Sequence, residues 1–142
     1  MRSDLPLKES NMPIVPKLND HEVSPSAMKV FEDIRATRKT EYVNDFWRVL
    51  ANDPEQLAQV WAQAKQVMAP GSLDALTKEL IYIAVSVANN CEYCITTHTA
   101  AAKAKGMSEE QHREFMRVIA LASTTNRIAI GYQIPSDEKY RA

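Results

Sequence analysis

The chain contains two cysteines, Cys91 and Cys94, three residues apart, with His98 four residues further on and Glu79 twelve residues before Cys91. Residues three or four apart share one face of a helix. A helix capped by Asn90 therefore carries both thiols in its first turn and the imidazole one turn later. Free N–H groups and the positive end of the dipole stabilise a thiolate at such a start, lowering a thiol's pKa below its free value. That set suits peroxide reduction. A thiolate attacks the O–O bond and becomes a sulfenic acid, and a second thiol nearby condenses with it before further oxidation. The leaving alkoxide needs a proton, which His98 backed by Glu79 and water supplies. Cys94 is the attacking sulfur in this reading because it is the one paired with His98, and Cys91 resolves.

Glu79 enters by arithmetic. At helical pitch the chain rises about 16 Å from Glu79 to Asn90 and returns about 10 Å from Cys91 to His98. If the two helices fold back as a hairpin, the carboxylate comes near the imidazole, where it orients the ring. Blander readings stay open at this point. Two cysteines at this spacing also occur as small core residues. Cys91, Cys94, His98 and Glu79 together offer zinc ligand types, but structural zinc usually draws on two separated pairs, so no metal is expected. A thioredoxin-like domain needs βαβ units, and no strand pattern is present.

Composition narrows the classes further. The chain has 142 residues, 45% hydrophobic and 25% charged, which suits one domain with a core of its own. Seventeen Lys and Arg stand against eighteen Asp and Glu, a net charge of -1 with no basic stripe, so no nucleic-acid partner is expected. Gly71, Gly106 and Gly131 are the only glycines, and no phosphate loop can be drawn from them. No apolar run spans a bilayer, so no membrane role is expected. Met1 to Asn11 lacks the apolar core of a secretory signal, which sets a cytoplasmic expectation.

The elements that must position these residues read as helices. Pro6, Pro13 and Pro16 mark residues 1–23 as an extended arm whose scattered apolar residues favour docking over solvation. Ser24-Pro25 starts a first helix, and a second runs from about Tyr42 to Ala51. Asp53-Pro54 starts a third, with Leu57, Val60, Trp61, Ala64 and Met68 as its stripe. Ser72 caps a fourth, about Leu73 to Ala88, apolar nearly all round, although the β-branched run Ile81 to Val87 also fits a buried strand. A fifth runs from about Cys91 to Lys105 and ends at Gly106. Ser108 and Gln111 form a capping box for a sixth, with Phe115, Met116, Ile119 and Ala122 inward. Thr124-Thr125-Asn126 is a place to bend or break it, and Pro135 ends regular structure. The expectation is an all-α single domain of about six helices over 24–142, preceded by the arm. Tyr82 and Tyr93 are read either as lining an access channel or as packing at a subunit contact.

Glu79, Cys91-x-x-Cys94 and His98 resemble the E-x11-C-x2-C-x3-H signature of the AhpD-like alkylhydroperoxidases, in the carboxymuconolactone decarboxylase superfamily. The surroundings are similar too: Thr77-Lys78-Glu79-Leu80, Asn90-Cys91, Thr97-His98, Ala100-Ala101 and Gly106, so the specific match spans about thirty residues, Leu76 to Gly106. The resemblance implies an AhpD-like helical bundle and a trimeric or hexameric homo-oligomer. It implies a peroxidase acting on a small hydroperoxide with no metal or organic cofactor, recycled by a dithiol reductant such as a lipoylated protein. It matches Cys94 to the peroxidatic cysteine, Cys91 to the resolving one, and Glu79 and His98 to the proton relay. The chain departs from the pattern at Tyr93, where the family's well-known members carry a histidine. A phenol is a poor base at neutral pH, so the relay is one group shorter and slower turnover is expected. Two other functions are weighed beside this one. A redox-responsive or disulfide-exchange protein would use the same pair with little peroxidase turnover. A lactone decarboxylase is disfavoured because the superfamily's decarboxylases generally lack the pair.

Overall fold

The computed structural model describes residues 13–141. Six α-helices follow in order: α1 (Pro25–Arg38), α2 (Asp45–Leu50), α3 (Pro54–Met68), α4 (Ala75–Ala88), α5 (Glu92–Ala104) and α6 (Glu109–Gly131). A short 3-10 turn at Glu138–Tyr140 comes after Pro135, where no further regular structure was expected. No strand occurs among the described residues, so the chain is all-α and the run Ile81 to Val87 is helix. No helix among them is long and apolar enough to cross a membrane. Residues 1–12 of the expected arm lie outside the described residues.

The chain divides into two compact units at Val67/Met68. The first is built on a core of Ala27, Phe31, Ile34, Val43, Trp47, Ala51, Leu57 and Trp61. Ser24 Oγ accepts the Ala27 N–H at α1, and Asp53 Oδ1 accepts the Gln56 N–H at α3, each followed by the proline at the first helical position. The second helix is shorter than its apolar pattern suggested. It starts at Asp45, because Arg35 Nε and Arg48 Nε donate to the carbonyls of Glu41 and Val43 and hold that stretch as loop. Val43 is fully buried without being helical. Residues 13–23, the described part of the arm, are tied to the same unit. The Leu18 N–H donates to the Arg48 carbonyl, and Asn52 Nδ2 donates to the Pro16 carbonyl.

The second unit carries the cysteines. Its α4 is capped by Asp74, two residues after the expected Ser72; Asp74 Oδ1 accepts the Thr77 N–H at 2.9 Å. Ile83, Ala102 and Met107 form the buried cluster, with Leu76, Leu80, Val87 and Phe115 packed against it. The turn between α4 and α5 is tight and specific. Asn90 takes the left-handed conformation at φ 57°, its N–H donates to the Val87 carbonyl, and the Cys91 N–H donates to the Ser86 carbonyl. This is a Schellman ending, and it folds the chain straight into α5. A second one, built on Gly106 at φ 95°, ends α5, and its Met107 packs on Ala102.

The Ser108–Gln111 capping box is present in both directions, at 3.0 and 2.8 Å. Ser108→Ala is expected to cost about 1 kcal/mol, read as a lower urea midpoint, and an unchanged midpoint would remove the box from the account. Beyond it α6 runs unbroken for 23 residues. The expected break at Thr124-Thr125 does not occur, because their hydroxyls donate back to the Ala120 and Leu121 carbonyls inside the helix. Nor is its inward face as expected: Phe115 and Ile119 are half-buried, while Met116 and Ala122 are exposed.

Candidate active site

Cys91 has a double part in the local fold. Its N–H closes α4, and its side chain opens α5, with Sγ accepting the Cys94 N–H at 3.3 Å. Cys91 is therefore the N-cap, not Asn90, and it sits one place before the first helical residue. The physical reason is the left-handed turn. Asparagine tolerates that conformation better than cysteine does, so Asn90 takes it and passes the cap to the next residue. Cys94 is in the first turn, and the structure joins the two sulfurs in a disulfide with a Cα–Cα distance of 5.3 Å. Both cysteines are half-buried, while Glu92 and Tyr93 between them are exposed. The Glu92 charge thus faces solvent, leaving the partial positive charge of the helix start for the sulfurs.

One turn on, His98 is half-buried and meets Glu79 directly, Nδ1 to Oε2 at 2.7 Å. The hairpin expectation for this pair holds, because the Schellman turn returns α5 against α4. Helical side chains lean toward the N-terminus, so His98 lies over the turn that begins at Cys94. Glu79 shares the buried face of α4 with Ile83 and Ser86. It is only 4% exposed, yet its charge is well compensated. Its other oxygen, Oε1, accepts from Lys105 Nζ at 2.9 Å. Burial alone would raise the Glu79 pKa. The hydrogen bonds from His98 and Lys105, with the charges behind them, outweigh it and hold the carboxyl below its ordinary value of 4.5. An ionised carboxylate only accepts hydrogen bonds. The proton between the pair therefore belongs on Nδ1, which leaves Nε2 as the nitrogen not engaged by Glu79.

Two residues of this constellation carried no such role in the sequence reading. Tyr82, one turn after Glu79 on α4, stacks on the His98 ring with centroids 3.6 Å apart and planes 20° from parallel. Its place three residues after Glu79 was a usable signal. Lys105 stands seven residues after His98, two turns along α5, which puts it on the same face. Read locally, it is only a basic residue at a helix end.

Among the described residues, no group of three or more His, Cys, Asp and Glu side chains is arranged to hold a metal ion. Taken together, the site offers a dithiol/disulfide couple at a helix start and, one turn along, an imidazole oriented by a compensated carboxylate. Such a site can cycle two electrons through the sulfurs and hold or release a proton at the ring.

Comparison with known proteins bears on this arrangement. Residues 54–133 match the sequence profile of the carboxymuconolactone decarboxylase family. The chain is 41% identical over 59 residues to a protein of Paracoccus denitrificans named "Uncharacterized protein 4 in cox locus", covering 42% of this chain and 53% of that one. It is 31% identical over 91 residues to the alkyl hydroperoxide reductase AhpD of Solibacter usitatus, covering 64% of this chain and 50% of the relative. The chain thus spans about half the length of these two relatives. It is also similar to the crystal structure of the alkylhydroperoxidase AhpD core from Rhodospirillum rubrum. That match has a TM-score of 0.89 and 51% identity, covering 92% of this chain and 98% of the other.

Proposed function

We propose, from the premise that the chain belongs to the carboxymuconolactone decarboxylase family, that it is a thiol-dependent peroxidase of the AhpD-like kind, reducing organic hydroperoxides or hydrogen peroxide. The observation that carries this reading is the joined Cys91–Cys94 pair at the start of α5, with His98 one turn on and bonded to Glu79. The 51% identity to the Rhodospirillum rubrum alkylhydroperoxidase core supports it.

The cycle starts from the reduced pair. The Cys94 thiolate attacks the outer oxygen of the hydroperoxide, the S–O bond forms and the O–O bond breaks. The alkoxide leaves with a proton from His98, whose Nδ1 hydrogen bond to Glu79 steadies the ring. Cys94 is now a sulfenic acid, two electrons more oxidised. The Cys91 sulfur displaces its hydroxyl as water, giving the disulfide. A dithiol reductant, for which a lipoylated protein is the proposed source, returns both thiols by exchange and leaves as its own disulfide. No metal or organic cofactor takes part. A reducing compartment such as the cytoplasm suits a pair that must return to the dithiol. We also propose a homo-oligomer, trimeric or hexameric. Ile81 and Val85 on α4, and Val118, Leu121 and Ile130 on α6, stand half or more exposed in the single chain, an apolar surface of the kind that marks subunit contacts.

The test is one stoichiometric addition of cumene hydroperoxide to the fully reduced protein, quenched and weighed by mass spectrometry. Loss of two hydrogens within seconds, mapped to Cys91 and Cys94, is the expected result. Sulfinic acid at either cysteine, or unreacted thiols, would count against it. Tyr93 favours a second reading. Its phenol, exposed on the helix start, adds no base at neutral pH to the relay. In that reading the chain is a disulfide-exchange protein with little peroxidase turnover. Slow oxidation by peroxide, together with fast exchange with a small dithiol or disulfide, would select it.

A further inference from the structure

We infer that Lys105 is a positioning residue of the proposed relay: its ammonium compensates the buried Glu79 carboxylate, so that His98 can gain and lose its proton without leaving that carboxylate unpaired. The inference deepens the peroxidase reading and rests on it for its meaning in turnover.

The geometry is a bracket. Each Glu79 oxygen has one partner, Oε2 with His98 Nδ1 at 2.7 Å and Oε1 with Lys105 Nζ at 2.9 Å. The Glu79 side chain is 6% exposed, against 25% for His98 and 38% for Lys105. Both partners come from α5 or its cap, two turns apart, so one helix holds the carboxylate of the other at both ends. His98 meets Glu79 and the Tyr82 ring from α4 and reaches Lys105 through Glu79, and Cys94 stands one turn earlier along α5.

A buried carboxylate facing an imidazole alone has one good state, with the ring protonated. Removing that proton would strand a charge inside the protein, which is costly. A relay must pass through both ring states, since the proton it gives to the alkoxide has to be recovered from a thiol or water. With Lys105 in place, Glu79 is matched in either state. The bland reading is a lysine placed at a helix end for the dipole. It explains the residue type, but not an ammonium drawn back to a buried oxygen on the preceding helix.

The experiment follows the proton by NMR. The His98 Cε1–H resonance is titrated in the full oxidised chain, with His21 and His112 as internal references. Lys105→Met keeps most of the stem and removes the charge. Lys105→Gln removes the charge and keeps a donor for Oε1, and it carries the test if the methionine variant does not fold. In either variant the proton of the coupled Glu79–His98 pair should leave about one pH unit higher than in the parent. Lys105→Arg should restore the parent midpoint to within about 0.3 units, and the two reference histidines should not move. In turnover, the alkaline limb of kcat/KM, where His98 loses the proton it must give to the alkoxide, should move up by the same amount in Lys105→Met, and the curve should rejoin the parent's on the acid side. A merely structural lysine would lower the curve without displacing it. An unmoved midpoint in both neutral variants overturns the inference while leaving the peroxidase reading intact. A displaced midpoint in a chain without peroxidase turnover does the reverse.

Discussion

Cys94→Ser is expected to abolish peroxide reduction, with kcat/KM for cumene hydroperoxide falling by about four orders of magnitude or more. The size follows from the chemistry. A serine hydroxyl is neither ionised at neutral pH nor soft enough to attack peroxide oxygen, so no sulfenic acid forms and nothing is left for Cys91 to resolve. The fold should survive, because Cys94 is half-buried and its N–H bond to the Cys91 side chain does not need the Cys94 sulfur. Cys91→Ser separates the roles. It should retain the first, stoichiometric reduction and lose turnover, with sulfenic and then sulfinic acid accumulating on Cys94. Stopped-flow kinetics with a dithiol donor, paired with mass analysis of each variant, gives both answers. Equal rates in Cys94→Ser and the parent would falsify the assignment. A first reduction lost in Cys91→Ser but kept in Cys94→Ser would exchange the two roles. That alternative is a real one, since Cys91 is the side chain that accepts a backbone N–H at the helix start.

Glu79→Gln should lower kcat by about a hundredfold, at the modest end of what a positioned acid–base group contributes. The glutamine fills the same volume and can still accept from His98 or Lys105. It no longer offers two anionic oxygens, so it can meet one partner only by turning an NH2 toward the other. The His98 ring loses its fixed tautomer, and Lys105 loses its counter-charge. Stability should change in a pH-dependent way, and the sign can be worked out. The folded-state pKa of Glu79 lies below its ordinary 4.5, so its contribution is fully present above that value. It is lost as pH falls through the lowered folded value, because the unfolded chain binds the proton first. The variant has nothing to titrate at this position. The difference in urea midpoint between parent and variant should therefore be largest near neutrality and shrink below about pH 4. A difference that stays constant down the acid range would mean that the carboxylate charge does not stabilise this pair of helices.

Much of this molecule was legible before folding because its signals are local. Ser24-Pro25, Asp53-Pro54 and the Ser108–Gln111 box each act within one helical turn, and all three begin helices as read. The relation of Cys91, Cys94 and His98 is also internal to one helix start, so spacing alone gave it. Even the meeting of Glu79 with His98 followed from counting along two helices joined by a short turn. The misreadings were cases in which two local signals competed. Asn90 could cap α5 or turn left-handed, and the Schellman ending of α4 took it, which made Cys91 the cap. Ser72 and Asp74 both could open α4, and Asp74 does. Thr124 and Thr125 could break α6 or bond back into it, and they bond back.

The partners of Glu79 and His98 beyond that pair belong to the tertiary structure. Tyr82 came to the imidazole because the angle between α4 and α5 lays one ring on the other. Lys105 came to Glu79 across 26 positions of sequence because packing around Ala102 and Ile83 leaves one carboxylate oxygen facing the end of α5. Hydrogen bonds within a helical turn are decided by neighbours in the chain. A buried charge is decided by whatever the packed helices bring within reach, because it must be met wherever it is buried.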